Sequence, residues 1–210
     1  MTTLALLAPL AGYVLPLKEV PDAVFAQGMA GDGVAIDPTA ELLHAPCAGE
    51  VVLMPAGRHA VTVRMAGAEV LLHIGIDTVR LEGRGFELLV EHGAQVESGQ
   101  PLVRFSLDRI ARAARSAVTP VLLSGPTAAA LGRRITQRTV AVGDFLMELH
   151  PAGAQVTSAP TGGTALRKLL AVPFDHGLHA RPAALIVSTL KGLDVEVSFA
   201  AHGRDRKSVV

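Results

Sequence analysis

The chain has 210 residues and a formal net charge of zero, because 19 basic residues balance 19 acidic residues. Nucleic acids and anionic membrane surfaces select basic proteins, so this balance excludes both as expected partners. Half of the residues are apolar and only 3% are aromatic, which predicts a core built from Ala, Val and Leu.

The first apolar segment, residues 4–17, predicts a strand rather than a signal peptide. No basic residue precedes it, and Pro9, Gly12 and Pro16 interrupt it. No apolar run approaches the roughly 18 residues that a membrane-spanning helix needs. Cys47 is the single cysteine, which excludes an internal disulfide and fits a reducing compartment. We therefore expect a cytoplasmic protein that does not itself span a membrane.

From residue 4 to residue 150 the sequence alternates short apolar runs, rich in Val and Leu, with Gly and Pro. Runs of this length and spacing are typical of strands in an all-β sandwich or barrel. Representative runs are residues 49–54, 59–65, 69–74 and 100–105. The pattern predicts a mainly β fold.

One helix is predicted within this region. Ser106 is a suitable N-cap, and Asp108 follows in the first turn, where the helix dipole favours an acidic side chain. Ile110, Ala113 and Ala114 form its expected apolar stripe.

The composition changes after residue 150. Residues 151–165 are rich in Gly, Pro and small polar side chains, which predicts a flexible linker between a first domain, 1–150, and a second segment, 166–210. In the second segment the pattern predicts a strand at 166–172, a helix at 180–191 capped by Gly192, a strand at 194–200, and another element from Lys207. About 45 residues are near the lower limit for an independent fold, so we expect the truncated start of a longer α/β domain.

His59 and His73 lie on two neighbouring predicted strands that are joined near Gly67. A three-residue loop with Gly67 in the left-handed conformation would place Arg64 opposite Ala68 and His59 opposite His73. The two imidazoles would then lie on one face of the hairpin. A two-residue loop would shift the register by one residue and place them on opposite faces.

The histidine pair is compatible with three roles. It could bind zinc, or one imidazole could act as a nucleophile while the other stabilises charge, or both could be half-buried side chains without function. Gly75 would allow a close backbone approach. Asp77 is interpreted as a turn residue, although a carboxylate there could also orient an imidazole.

A third histidine, His179, lies just before the predicted helix of the second segment, in the stretch GLHARPAA at residues 177–184. Pro182 suits a first helical turn, and a helix N-terminus attracts anions. Arg181 adds a planar donor for phosphate oxygens. The stretch predicts a phosphoryl acceptor, and the alternative is an exposed histidine without function.

These motifs carry a resemblance to a known family. Residues 4–150 resemble the glucose-type enzyme IIA domain of the bacterial phosphoenolpyruvate:sugar phosphotransferase system. The matching stretches are residues 9–12, 24–36, 45–51, 59–60 and, most specifically, LHIGIDTV at 72–79.

Residues 166–210 resemble the first half of HPr, the small phosphocarrier of the same system, and 177–184 matches its active-site signature. Lys207 and Ser208 stand where that family begins its second helix, and Ser208 matches a residue that is regulatory in some HPr proteins. The order of the segments resembles the start of a multiphosphoryl transfer protein, in which enzyme I usually follows.

The resemblance implies a phosphoryl relay without a cofactor. Enzyme I would pass phosphate from phosphoenolpyruvate to His179, supported by Arg181. His179 would pass it to His73, supported by His59. The phosphate would then move to a cysteine of enzyme IIB and, with the IIC permease, to a sugar.

Two positions depart from the family. Gly57 stands where the family often has Thr, which removes one hydrogen bond of the usual relay, and Leu71 replaces an aromatic residue of some members. We expect a shallow docking surface around the imidazoles that includes Leu71 and Ile74.

Two other functions share part of this sequence pattern. A biotinyl or lipoyl carrier needs a lysine at a hairpin tip, and Lys18 is the only lysine before residue 168. A zinc protein that uses His59 and His73 needs a third ligand. His44, Asp77 and His92 lack ligand-like spacing, so the sequence predicts no metal site beyond incidental zinc binding by the pair.

Overall fold

The computed structural model describes residues 3–65, 68–124, 129–150, 198–201 and 204–207. In chain order the strands are β1 (Leu4–Leu7), β2 (Gly12–Pro16), β3 (Asp32–Pro38), β4 (Leu42–His44), β5 (Gly49–Leu53), β6 (Ala60–Met65), β7 (Ala68–His73), β8 (Phe86–Leu88), β9 (Gln95–Val96), β10 (Pro101–Phe105), β11 (Thr119–Ser124), β12 (Ala130–Arg134), β13 (Arg138–Val140), β14 (Phe145–His150), β15 (Ser198–Ala201) and β16 (Arg204–Lys207). The α-helices are α1 (Ala23–Ala26) and α2 (Leu107–Ala113), and 3-10 helices cover Leu17–Glu19 and Thr78–Leu81.

The strands up to β14 form one large and two small antiparallel sheets. The large sheet has eight strands in the order β13-β2-β3-β11-β7-β6-β5-β9, and the small sheets have the orders β1-β14-β12 and β4-β10-β8. One hydrophobic core contains buried side chains from all three sheets, such as Leu72 of β7, Met147 of β14 and Leu102 of β10. The large sheet therefore packs against the two small sheets as a β-sandwich, which confirms the predicted mainly β class.

The central strands of the large sheet are buried on both faces. In β7, Val70 and Leu72 face the main core, whereas Leu71 belongs to a second apolar cluster. Leu17 and Phe25 of the second cluster come from the segment between β2 and β3. This segment, which includes α1, therefore covers the outer face of the sheet on which His73 lies.

Helix α2 begins where the sequence predicts. The side chain of Ser106 accepts a hydrogen bond from the backbone N–H of Arg109 at 3.4 Å, and Ile110 is fully buried. The predicted stripe holds for Ile110 and for Ala114, which is half-buried and packs against the main core, but it is wrong for Ala113, which is exposed. A helix of seven residues makes only one deep contact with the sandwich.

The predicted register of the hairpin is wrong. Arg64 pairs with Glu69 and Met65 with Ala68, so the connection between β6 and β7 is one residue shorter than expected. Ala60, not His59, lies opposite His73.

Most predictions for the second segment lie outside the described residues, including the linker, the strand at 166–172, and the helix at 180–191 with Gly192. The structure has β15 (Ser198–Ala201), which overlaps the end of the predicted strand at 194–200 and pairs antiparallel with β16. Lys207 is the last residue of β16 rather than the first of a new element.

Candidate functional site

His73 is the last residue of β7, in the middle of the large sheet, and its side chain is 9% exposed. It lies on the same face as Leu71, because side chains alternate along a strand. The Nδ1 atom of His73 lies 2.8 Å from the carbonyl oxygen of Gly75. A carbonyl oxygen only accepts hydrogen bonds, so Nδ1 carries the proton and Nε2 has a free lone pair. The tautomer that this bond selects is the one whose Nε2 can attack an electrophile.

His59 meets His73 by a route that the strand pattern does not predict. The two ring centroids lie 5.0 Å apart, and the ring planes are inclined by 68°. His59 comes just before β6, and the preceding residue, Arg58, has a positive φ of 55°. Because His59 stands outside the regular ladder, the alternation of strand side chains does not fix its direction. The prediction from the sequence therefore brought the correct two residues together but gave the β6–β7 hairpin an incorrect register.

Burial and charge both keep His73 neutral. Burial of the imidazole, followed by the neighbouring His59, lowers the pKa of His73 to about 4. The hydrogen bond to Gly75 and the charge of Asp22 oppose this effect but do not overcome it. At neutral pH the Nε2 atom of His73 is therefore unprotonated, as a nucleophile requires.

Helix α1 brings two residues to the site that the sequence did not single out. The ring of Phe25 lies 5.1 Å from that of His73, centroid to centroid, at an angle of 57°. Asp22 begins the helix, because its carboxylate accepts a hydrogen bond from the N–H of Val24 at 2.9 Å. An N-cap aspartate before an apolar run was the available signal, but four helical residues give no periodicity to support it.

The predicted turn residues at the site are confirmed. Gly75 has a φ of 68°, and a Cβ atom there would lie 2.9 Å from the carbonyl oxygen of Ser116, so a backbone does approach closely. Asp77 also has a positive φ, of 62°, and its carboxylate lies 3.7 Å from Nε of Arg115. Arg115 also donates a hydrogen bond from Nη1 to the carbonyl of Pro21 at 2.9 Å. This arginine thus connects the turn after β7 to the start of α1.

Gly57 lies directly beside His59. A Cβ atom at position 57 would stand 2.7 Å from Nδ1 of His59, closer than real Cβ contacts allow. The glycine therefore accommodates the observed position of the His59 ring, and a larger residue would require this ring to move.

The expected docking surface is partly corrected. Leu71 lies beside the site in the second apolar cluster, but Ile74 is fully buried in the main core. Side chains alternate between the two faces of an extended chain, and Leu71 and Ile74 are three positions apart. The two residues therefore point to opposite faces and do not share a surface. His179 and Arg181 lie outside the described residues.

Within the described ranges, no group of three or more His, Cys, Asp or Glu side chains could hold a metal ion. Lys18 lies in the 3-10 helix Leu17–Glu19 and not at a hairpin tip, in agreement with the exclusion of a biotinyl or lipoyl carrier. No helix in the described part of the chain is long and apolar enough to cross a membrane.

Two family models match the chain. Residues 4–127 match the model for the phosphoenolpyruvate-dependent sugar phosphotransferase system, EIIA 1. Residues 166–210 match the model for the phosphorylation site of the HPr component of the same system.

Individual proteins agree with the family models. The glucose-specific EIIA component of Bacillus cereus is 43% identical over 125 residues, which are 59% of this chain and 76% of that protein. The N-acetylglucosamine-specific EIICBA component of Escherichia coli K12 is 46% identical over 120 residues, which are 57% of this chain and 18% of that protein. Among solved structures, glucose permease IIA from Mycoplasma capricolum superposes with a TM-score of 0.67 and 35% identity, and the match covers 70% of this chain and 96% of that one.

Proposed function

Because the chain belongs to the EIIA 1 family of the phosphoenolpyruvate-dependent sugar phosphotransferase system, we propose that His73 carries the phosphoryl group on Nε2. The family and a role in phosphoryl transfer within the sugar phosphotransferase system are confirmed, and the chain is a phosphotransferase that acts through histidine in sugar uptake. The observation that supports His73 most directly is its bond to Gly75, which leaves Nε2 free beside a second imidazole.

The chemical step is a transfer between two imidazoles. Nε2 of His73 attacks the phosphorus of a phosphohistidine on HPr, the N–P bond to the donor ring breaks, and that ring leaves with the electron pair. The Gly75 carbonyl stabilises the positive charge that the His73 ring acquires, because it accepts the Nδ1–H bond. His59 is in position to donate a hydrogen bond to the phosphoryl oxygens. Its edge-on approach to His73 supports that role.

We place the two histidines in a longer relay. Enzyme I charges His179, which Arg181 supports. His179 then charges His73, and His73 passes the phosphate to a cysteine of enzyme IIB. Residues 1–150 form the IIA domain, residues 151–165 connect it, and residues 166–210 belong to an HPr-like domain. The match to both family models supports this order, and it supports HPr and the IIB and IIC parts of a sugar permease as partners. The relay operates in the cytoplasm.

The partner docks on the outer face of the large sheet. The second apolar cluster reaches the surface around His73 through Leu17, Leu71 and Val118, each of which keeps 8 to 9% exposure. Leu15 and Ala30 extend this surface as half-buried neighbours. A small apolar rim around a recessed nucleophile suits a partner that arrives, transfers phosphate and leaves.

The test compares His73→Gln with His59→Gln. Each variant is incubated with phosphoenolpyruvate, enzyme I and intact HPr, and acid-labile phosphate on the IIA domain is measured. We expect His73→Gln not to be labelled at this site. We expect His59→Gln to accept phosphate but to pass it to enzyme IIB at least about tenfold more slowly, because glutamine keeps a donor but loses the imidazole.

The control is His92→Gln, which changes an exposed histidine outside the site and should behave as wild type. Peptide mapping assigns the label, so phosphate on the HPr-like segment is not counted. Normal labelling of His73→Gln together with loss of labelling in His59→Gln would show that the two roles are reversed.

A further inference from the structure

The loop that follows β7 holds the carbonyl group on which His73 depends. Hydroxyl groups from two threonines bind the peptide unit that joins Ile74 to Gly75. Its carbonyl oxygen accepts a hydrogen bond from Oγ1 of Thr78 at 2.8 Å. Its N–H group donates to Oγ1 of Thr119 at 3.4 Å. Both ends of this peptide unit are therefore held by side chains.

The next peptide unit, between Gly75 and Ile76, faces the active-site imidazole. Its carbonyl oxygen accepts the bond from Nδ1 of His73, and its N–H donates to the carbonyl of Ser116 at 2.8 Å. The orientation of the Gly75 carbonyl is thus set by the two peptide units together.

The packing around Gly75 leaves the loop little freedom. A Cβ atom at Gly75 would lie 2.6 Å from Cγ2 of Thr78, so the methyl group of Thr78 already fills that side. Thr78 and Thr119 are fully buried. A buried hydroxyl group is unfavourable unless it forms hydrogen bonds, and both of these do.

Thr119 uses both capacities of its hydroxyl group. Oγ1 donates to the carbonyl of Ala117 at 3.0 Å, and its lone pair accepts from Gly75. The donated bond fixes the direction of the hydroxyl hydrogen and so directs the lone pair toward the loop. Valine has nearly the same shape but could make neither bond.

We propose that Thr78 and Thr119 are positioning residues for the phosphoryl-accepting histidine. They fix the peptide before the Gly75 carbonyl, the carbonyl keeps the proton of His73 on Nδ1, and Nε2 therefore remains the unprotonated atom. The proposal rests on the proposed function of His73 for its effect on phosphate transfer, but its effect on the tautomer is independent of that function. Neither threonine touches the phosphoryl group.

The test uses the full chain with 15N-labelled histidine and the variants Thr78→Val and Thr119→Val. The ring nitrogen shifts of unphosphorylated His73 report where the proton lies. Wild type should show Nδ1–H alone, and each variant should show a mixture of both tautomers. The rate at which intact HPr phosphorylates His73 should fall by about 10- to 100-fold, because a displaced orienting group has effects of that size.

Three further variants separate positioning from general destabilisation. Thr78→Ser and Thr119→Ser keep the hydroxyl groups and should recover the Nδ1–H tautomer and a rate within about threefold of wild type. Thr62→Val, at another buried threonine on the neighbouring strand β6, should change neither readout. If a valine variant does not fold, the alanine variant at the same position takes its place.

The outcomes distinguish this proposal from the proposed function. Retention of the pure Nδ1–H tautomer and of the wild-type rate in the folded valine or alanine variants overturns the proposal. A rate loss that the serine variants share, with no change of tautomer, also overturns it. If wild type itself is not phosphorylated at His73, the proposed function fails, and the nitrogen shifts alone decide whether the threonines control the tautomer.

Discussion

At the scale of single residues, the chemistry depends on a histidine that resists protonation. Burial and the neighbouring His59 lower the pKa of His73 to about 4, whereas an ordinary histidine has a value near 6.5. The neutral form of His73 therefore persists in mildly acidic solution. The same property makes the folded state sensitive to pH, because the unfolded chain binds a proton that the folded chain does not.

We predict that the free energy of unfolding decreases as the pH is lowered from about 6.5 to 4. We expect His73 to cause a measurable part of this decrease. Below pH 6.5 the unfolded state binds more protons than the native state, so the free energy of unfolding decreases as pH falls. The contribution of His73 should be about 2 kcal/mol between pH 7 and pH 5. Urea unfolding of wild type and His73→Gln at both pH values measures it.

The glutamine variant should lose about that much less stability on acidification than wild type. His92→Gln, which changes an exposed histidine, should keep the wild-type dependence. An equal pH dependence in wild type and His73→Gln would contradict the low pKa of His73.

Sequence reasoning identified the residue types of the site but not their geometry. The pair of His59 and His73 was predicted from a symmetric hairpin, yet the rings meet with His59 just before β6, directly after Arg58, whose φ is positive. A single backbone rotation of this kind leaves no periodic signal in the sequence. The bond between His73 and the Gly75 carbonyl was also not predicted, because it depends on the path of a loop rather than on a side-chain pattern.

At the scale of elements, α1 is the shorter of the two α-helices in the described part of the chain, and it contacts the site directly. It has four residues, too few to be stable by itself, so its capping and its packing must both contribute. Asp22 supplies the cap, and Phe25 supplies the contact with His73. The helix thus shields one side of the imidazole from water.

We predict that Asp22→Ala lowers the rate of phosphate transfer to His73 more than its effect on stability would suggest. Loss of an N-cap destabilises a helix by about 1 kcal/mol, and here the helix that loosens carries Phe25. Urea unfolding and the rate of His73 labelling by intact HPr measure the two effects.

Two variants provide the comparison. Ser106→Ala removes the N-cap of α2 and should cost similar stability with little change in rate. Asp22→Asn keeps the cap but removes the charge. It therefore shows whether the carboxylate acts by capping the helix or by its electrostatic effect on His73. Equal rate losses in Asp22→Ala and Ser106→Ala would argue against a specific role for α1.

Elements were predictable where the pattern is long or chemically distinctive. The apolar runs at 59–65 and 69–74 correspond closely to β6 and β7, and Ser106 marks the start of α2. Helix α1 was missed because it is short. The register of β6 and β7 was missed because the connecting loop differs by one residue from the one that Gly67 indicated.

At the scale of the whole molecule, pairing between the first and the last strand of the sandwich completes one of its small sheets. β1 pairs with β14, and Leu4 of β1 lies opposite Leu149 of β14. Leu6, Leu146 and Met147 are fully buried in the main core. The sheet order that brings these distant segments together could not be predicted from apolar runs, because many orders bury the same residues.

We predict that residues 1–150 fold alone and accept phosphate at His73 from intact HPr at a rate within about twofold of the full chain. The basis is that β14 completes the small sheet and the core. A shorter chain, 1–144, should not fold. Each buried side chain that it loses costs roughly 2 to 5 kcal/mol, and the summed cost exceeds the typical free energy of unfolding of a domain. Thermal unfolding and phosphate labelling test both chains. Failure of 1–150 to unfold cooperatively would show that later residues are part of this core.

The strand β7 runs between two ends of the sandwich. Leu149 packs with Ala68 and Leu123 at one end of β7, and His73 is the residue at its other end. Six residues of extended strand place these ends about 17 Å apart. His150, the residue after Leu149, therefore lies at the end of the sandwich away from the imidazoles. A fluorophore attached just after residue 150 of the shortened chain would signal docking without obstructing it.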